Sequence, residues 1–143
     1  MSLPDYIQDF VPYFHSKKLG IINASPTGMG LLTNAGPPAW HPASAQVKSL
    51  CRQAGADCAA RGVELGKLSV HHNISHLAGS VATTLLGVGR MEILRINLDI
   101  VMEGLSALER KVMEEIKEKY FTGLTDTTWD YTEIEKYNKA INS

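Results

Sequence analysis

Two glycine-bearing turns hold the residues best suited to bind a ligand. Ser25-Pro26-Thr27-Gly28-Met29-Gly30 follows directly on a short apolar run at residues 19–24. Glycines in that position let backbone N–H groups approach an anion closely. Gly87-Val88-Gly89-Arg90 closes a second run, at residues 81–86, and leads into a helix. Helix N-terminal donors, two permissive backbone positions and one guanidinium then converge on one place, as phosphate binding requires. Neither turn is a complete signature, because the third glycine of a dinucleotide fingerprint and the Gly-Lys-Ser/Thr of a P-loop are both missing. Each also has a plainer reading: an ordinary turn for the first, and a strand-to-helix turn with a solvated arginine for the second.

Other side chains offer less. His72 and His76 stand one helical turn apart beside His71, which suggests a metal. No glutamate follows the first histidine as the zinc-protease pattern demands, and no cysteine or aspartate flanks the group. Packing or capping histidines are the expectation, with no metal. Cys51 and Cys58 lie seven residues apart in one expected helix, so a rise of about 1.5 Å per residue separates their Cα atoms by roughly 10 Å. A disulfide needs about 7 Å or less, so these two do not pair with each other. They and the scattered serines sit in no recognisable nucleophile motif, and no catalytic residue is assigned.

The elements that must carry the turns follow from periodicity and punctuation. Residues 5–18 space Ile7, Phe10, Val11 and Phe14 as one helix face, with Pro12 as an interruption. Residues 19–24 read as a buried strand with apolar residues on both faces, and residues 25–43 as a long glycine- and proline-bearing loop. Ser44 caps a helix running to about Arg61, with Gly62 in the left-handed position that ends it. A second helix, at about residues 64–75, draws its core side from Leu65, Leu68, His72 and Ser75. Residues 81–86 form the second strand. A helix at residues 90–104 bears Leu94, Leu98, Val101 and Leu105. Ser106 and Glu109 then stand at the spacing of a capping box, opening a last helix with Leu108, Val112, Ile116 and Tyr120 on its buried face and Gly123 at its end. The alternating charges from Glu109 to Lys119 read as its solvated side. The tail with Trp129, Tyr131 and Tyr137 reads as irregular.

This alternation argues for a parallel α/β arrangement with about two strands, which leaves long edges and apolar faces unpaired. The 143 residues, 44% apolar and 20% charged, suit a single domain spanning residues 1–143. Fourteen basic against fifteen acidic side chains give a net charge of −1. With no basic stripe or basic amphipathic helix, neither nucleic acid nor a membrane surface is an expected partner. Unpaired cysteines, an acidic start at Leu3-Pro4-Asp5 and the lack of a bilayer-length apolar stretch point to the cytoplasm.

Three stretches resemble a known family. Gly20-Ile21-Ile22-Asn23-Ala24-Ser25-Pro26, Met29-Gly30-Leu31-Leu32-Thr33 and Gly36-Pro37-Pro38-Ala39-Trp40-His41-Pro42-Ala43-Ser44 are similar to the aldo-keto reductase superfamily, and within it to the L-galactose dehydrogenase-like branch. The likeness continues through Leu85-Leu86-Gly87 and Asn97. It implies the C-terminal part of a (β/α)8 TIM barrel, namely the seventh and eighth strands with their helices, the barrel being incomplete. By that resemblance Ser25, Thr27, Gly30 and Leu31 would lie along the phosphate and ribose of NADP or NAD. Gly87, Gly89, Arg90 and Asn97 would surround the adenosine end.

The proton-transfer tetrad of such reductases belongs to the first half of the barrel and has no matching motif here; Tyr6 and Tyr13 are not assigned to it. Three departures from the family pattern matter: Thr27 replaces a usual leucine, Ile93, Arg95 and Ile96 replace a glutamine and two acidic residues, and Gly89 stands where a base often meets a 2′-phosphate. NADP and NAD are therefore not separated. The expectation is an NAD(P)-dependent oxidoreductase fragment, truncated, retaining part of the cofactor site and inactive alone. The alternative is a non-catalytic module that pairs through exposed strand edges with another polypeptide completing the sheet.

Overall fold

The computed structural model describes residues 6–125, 127, 129 and 132–141. In chain order the elements are α1 (Tyr6–Ser16), β1 (Ile22–Ala24), α2 (Ala45–Ala60), α3 (Leu65–His76), β2 (Thr83–Leu85), α4 (Met91–Glu103), α5 (Ala107–Ile116) and α6 (Thr132–Ile141). A π-helical turn at Lys117–Phe121 prolongs α5. The chain is helix-rich α/β, and its two strands form one parallel sheet in the register Ile22 to Thr83, Asn23 to Thr84 and Ala24 to Leu85. That architecture is compatible with part of a TIM barrel.

Local chemistry sets most of the helix ends. Ser44 accepts a bond from the Val47 amide, and Gly62 takes φ +68° just past the Arg61 C-cap. Ser106 and Glu109 form the expected reciprocal capping box. Pro12 lies inside α1, where it removes one backbone donor. Beyond residue 131 the tail is helical where an irregular segment was expected: α6 is amphipathic, with Ile134 and Ile141 exposed. Tyr131 lies outside the described residues.

Two apolar clusters hold the helices together. Ala54, Cys58, Leu65, Leu68, Val112 and Ile116 pack where α2, α3 and α5 meet. Leu31, Leu32, Ala43, Val47 and Cys51 clamp the loop between β1 and α2 onto the outer side of α2, with Trp129 laid against them. Phe121 touches both clusters. The cysteines are free and buried, and burial raises each thiol to about 11, which leaves them unreactive at neutral pH.

Four expectations about faces are corrected. β1 is not apolar on both sides: Ile22 is 64% exposed, while Asn23 is buried and donates to the Asn73 Oδ1 at 2.7 Å. Side chains alternate along a strand, and α3 covers only the face that carries Asn23 and its register partner Thr84. On α3 the buried positions are Leu65, Leu68, Ser69 and Val70, with His72 half-buried and Ser75 exposed. On α4 the inward stripe is Ile93, Ile96 and Ile100, whereas Leu94, Leu98 and Val101 are exposed. The apolar arc of α4 is wide, interrupted by Asn97 and bounded by a polar stripe of Glu92, Arg95, Asp99 and Glu103, so spacing alone did not say which part of the arc faces the core. Leu108 is likewise exposed, leaving Val112 and Ile116 as the buried face of α5.

The charged stretch is also more than a solvated face. Lys67 bonds Glu109 at 2.7 Å, Arg61 bonds Asp57 at 2.8 Å and also Glu115, and Lys119 reaches Asp57 at 2.9 Å. The Lys119 ammonium, with the Tyr120 hydroxyl and Arg61, outweighs burial and holds the Asp57 carboxyl below its ordinary range. These pairs tie α5 and its π-helical turn to α2 and α3. No helix among the described residues is long and apolar enough to cross a membrane.

Candidate functional site

Parallel pairing places the C-terminal ends of β1 and β2 side by side, so the turns that leave them open on the same end of the sheet. There they border one cleft of about 540 Å³, within the range of small-molecule sites. Ser25 and Thr27 line it from the first turn, Gly87 and Arg90 from the second, and Asn97 from α4. The three other expected residues lie back from the lining. Leu31 is wholly buried and its amide is spent on the Gly28 carbonyl at 3.1 Å; it supports the loop from beneath. Gly30 and Gly89 are likewise outside the lining.

The first turn is an ordered, strained structure. Ser25, Gly28, Met29 and Gly30 all lie at positive φ, between +54° and +89°. For Ser25 and Met29 the left-handed conformation costs about 1–2 kcal/mol each, so the turn persists only because its surroundings fix it. Four successive carbonyls are bonded within the protein: Ser25 to the Gly28 amide at 2.8 Å, Pro26 to the Ser69 hydroxyl at 2.6 Å, Thr27 to the Leu32 amide at 3.0 Å, and Gly28 to the Leu31 amide and His41. The Thr27 and Gly30 amides have no partner among the described residues. A loop with its carbonyls satisfied and amides unspent presents positive potential.

The second turn adds to this field. Arg90 is the N-cap of α4 and supplies no side-chain cap, so the first amides of that helix are open to a ligand. Arg90 itself is exposed and makes no ion pair among the described residues. Ile93 and Ile96 present an apolar wall beyond it.

The remaining wall comes from α3 and was not foreseen in the sequence. Glu64, Gly66 and Lys67 line the cleft at the start of that helix. The Glu64 carboxylate is occupied by the Asn34 and Gly66 amides at 3.0 and 3.1 Å. Lys67 is held by Glu109, whose carboxyl burial pushes up, while the bonds from Lys67 and Ser106 bring it below its ordinary value. Arg90 is thus the less committed of the cleft's two cations. His41 was also missed as a structural element. It is 1% exposed, accepts the Ala43 amide at Nδ1 (3.1 Å) and donates from Nε2 to the Gly28 carbonyl at 3.0 Å. A histidine between Trp40 and Pro42 in an otherwise apolar segment was the available signal.

The other histidines stand apart from the cleft. The rings of His72 and His76 lie nearly parallel, 7° apart, with centroids at 5.6 Å. Nitrogens of stacked rings direct their lone pairs in separate parallel planes, a poor arrangement for sharing one ion. Burial lowers His72 to about 4 and also lowers His71, whose Nδ1 is buried without a partner among the described residues. No group of three or more potential metal-ligating side chains occurs among the described residues.

The chain is 34% identical over 122 residues to the L-galactose dehydrogenase of Arabidopsis thaliana, an alignment that takes in 85% of this chain and 37% of that protein. The chain therefore has an oxidoreductase relative and spans well under half of its length. No family model matches.

Proposed function

We propose that the cleft is the phosphate-holding part of an NAD(P) site on an aldo-keto reductase-like scaffold. Ser25, Thr27, Gly87, Arg90 and Asn97 would contact the cofactor, with Gly30, Leu31 and Gly89 shaping the turns that carry them. The observation that carries this reading is the meeting of two donor-rich turns in one cleft, one with its carbonyls bonded inward and the other opening an uncapped helix beside Arg90. The dehydrogenase relative supports the class of ligand. A dinucleotide pyrophosphate suits backbone amides, a helix N-terminus and one guanidinium; Ile93 and Ile96 suit the flat face of a base. When bound, the cofactor supplies or accepts hydride. This chain's own residues bind and orient it.

Among the described residues the cleft offers no acid–base constellation: Glu64 is spent on the Asn34 and Gly66 amides and Lys67 on Glu109, Glu92 and Arg90 are the other charged side chains, and no histidine, tyrosine or cysteine lines it. Positioned proton-transfer groups complete carbonyl reduction, so these residues by themselves are expected not to turn over a carbonyl substrate. The two buried free thiols suit a reducing compartment, and we place the chain in the cytoplasm. Titration of NADPH and of NADH into the protein, followed by nucleotide fluorescence, tests the reading: saturable binding of at least one supports it, and binding of neither ends it.

A second reading rests on separate observations. Ile22 and Leu85 are 64% and 56% exposed on the sheet, and the Leu94, Leu98 and Val101 stripe of α4 lies bare. Such surface pairs readily with another polypeptide. On this reading the chain is an interaction module that completes its sheet with a partner. A monodisperse monomer on size exclusion, unchanged across a wide concentration range, would count against it.

A further inference from the structure

We propose that Ser69 and His41 are positioning residues that aim two donors of the first turn, the Thr27 amide and the Ser25 hydroxyl, at the bound nucleotide; the proposal rests on the dinucleotide reading of the cleft. In a trans peptide the carbonyl and the following N–H point in opposite directions. The chain contains no cis bond among the described residues. The Pro26 carbonyl is drawn inward by the Ser69 hydroxyl at 2.6 Å, from a side chain that is 2% exposed. The amide at the other end of that peptide, that of Thr27, is thereby turned away from the core, and it finds no partner among the described residues.

His41 acts two peptides further on, at the Gly28 carbonyl. Because the Ala43 amide donates to Nδ1, the proton sits on Nε2 and is donated to the Gly28 carbonyl. The opposite end of that peptide is the Met29 amide, which donates to the Ser25 Oγ at 3.3 Å. The Ser25 oxygen is then occupied as an acceptor, and its own proton is left to be donated. Trp129 meets the His41 ring edge-on at 5.1 Å and Trp40 stacks at 6.0 Å, so the imidazole has little room to turn. Ser69 comes from α3 and His41 from the proline-rich segment, so the turn is gripped from two independent elements. Neither clamp lines the cleft.

The test compares Ser69→Ala, His41→Gln, His41→Asn and Val112→Ala for binding of NADPH and NADH, with a thermal melt of each. Gln can reproduce the donor to Gly28, whereas Asn, one methylene shorter, can reproduce only the acceptor for Ala43, and the thermal melts report the difference in packing between them. Ser69→Ala and His41→Asn are expected to weaken binding about tenfold or more, with His41→Gln within about threefold of the parent. Val112→Ala, in the distant helical core, is expected to lower the melting temperature and leave affinity unchanged. Parent protein that binds while Ser69→Ala and His41→Asn bind equally well would overturn the positioning role alone. Parent protein that binds neither nucleotide would overturn the dinucleotide reading and this inference with it. Should Ser69→Ala not fold, the contrast between the two His41 variants decides the outcome by itself.

Discussion

Replacing Gly55 by alanine should destabilise the protein, although it substitutes a strong helix former inside α2. Alanine in a helix interior is favoured over glycine by about 1 kcal/mol, so propensity alone predicts a gain. A Cβ at residue 55, however, would stand 2.9 Å from the Thr33 carbonyl oxygen and 3.2 Å from the Asn34 Cα. Both are backbone atoms, and neither yields easily. Asn34 is fixed by its side chain to the Val63 carbonyl at 2.8 Å and the Leu65 amide at 2.9 Å, and by its own amide to Glu64. Overpacking costs about 1–3 kcal/mol, and a contact under 3.0 Å against fixed backbone puts this site in the upper part of that range, at about 2–3 kcal/mol; subtracting the propensity gain leaves a net loss of about 1–2 kcal/mol. For a chain of this length that lowers the melting temperature by about 3–8 °C. Urea unfolding followed by far-ultraviolet circular dichroism, with a thermal melt beside it, measures the change. Because Thr33 also lines the cleft, nucleotide affinity should fall together with stability. Equal or greater stability in Gly55→Ala would show that residues 33–34 shift freely, refuting the claim that α3 and α2 hold this wall rigidly.

Three further outcomes follow from particular contacts. Asn34→Ala removes two side-chain bonds and strands the Val63 carbonyl and the Leu65 amide, so urea unfolding should show a loss of about 2–3 kcal/mol. His72, held by burial at about 4 against an ordinary 6.5, binds its proton less readily folded than unfolded; its stabilising effect is therefore complete above about pH 6.5 and declines by about 1–3 kcal/mol as pH falls to 4 and below. Stability measured between pH 4 and 7 should flatten in His72→Gln, with the smaller slope due to His71 remaining. Arg90→Gln should raise the nucleotide dissociation constant about 3–10-fold at low salt, and the difference should shrink as salt is added, because Arg90 is exposed and its field is screened.

The strands, their order and the helix boundaries were largely legible because local chemistry dictates them. Ser44, Gly62, the Ser106 and Glu109 pair, and the glycines after each strand act within a few residues of where they stand. The two turns were legible for the same reason, and parallel strands bring their exits together. What the sequence withheld depends on contacts distant along the chain. Periodicity showed that α4 has apolar stripes, yet which one turns inward is decided by α3, and the outward Leu94, Leu98 and Val101 matched a core pattern equally well. The contribution of Lys67 to the cleft arises from the packing of α3 beside the first turn, across more than thirty intervening residues on the chain. His41 gave only the weak signal of a lone polar residue in an apolar segment, and Ser69 gave none; their importance lies in the carbonyls they meet.

Backbone amide chemical shifts of isotope-labelled protein, recorded while NADPH or NADH is added, test the shared phosphate site most directly. Saturable shifts concentrated at Ser25 to Gly30 and at Gly87 to Ile93, moving together with one dissociation constant, are the predicted result. Shifts confined to one turn, centred on another surface, or absent at saturating nucleotide would contradict it.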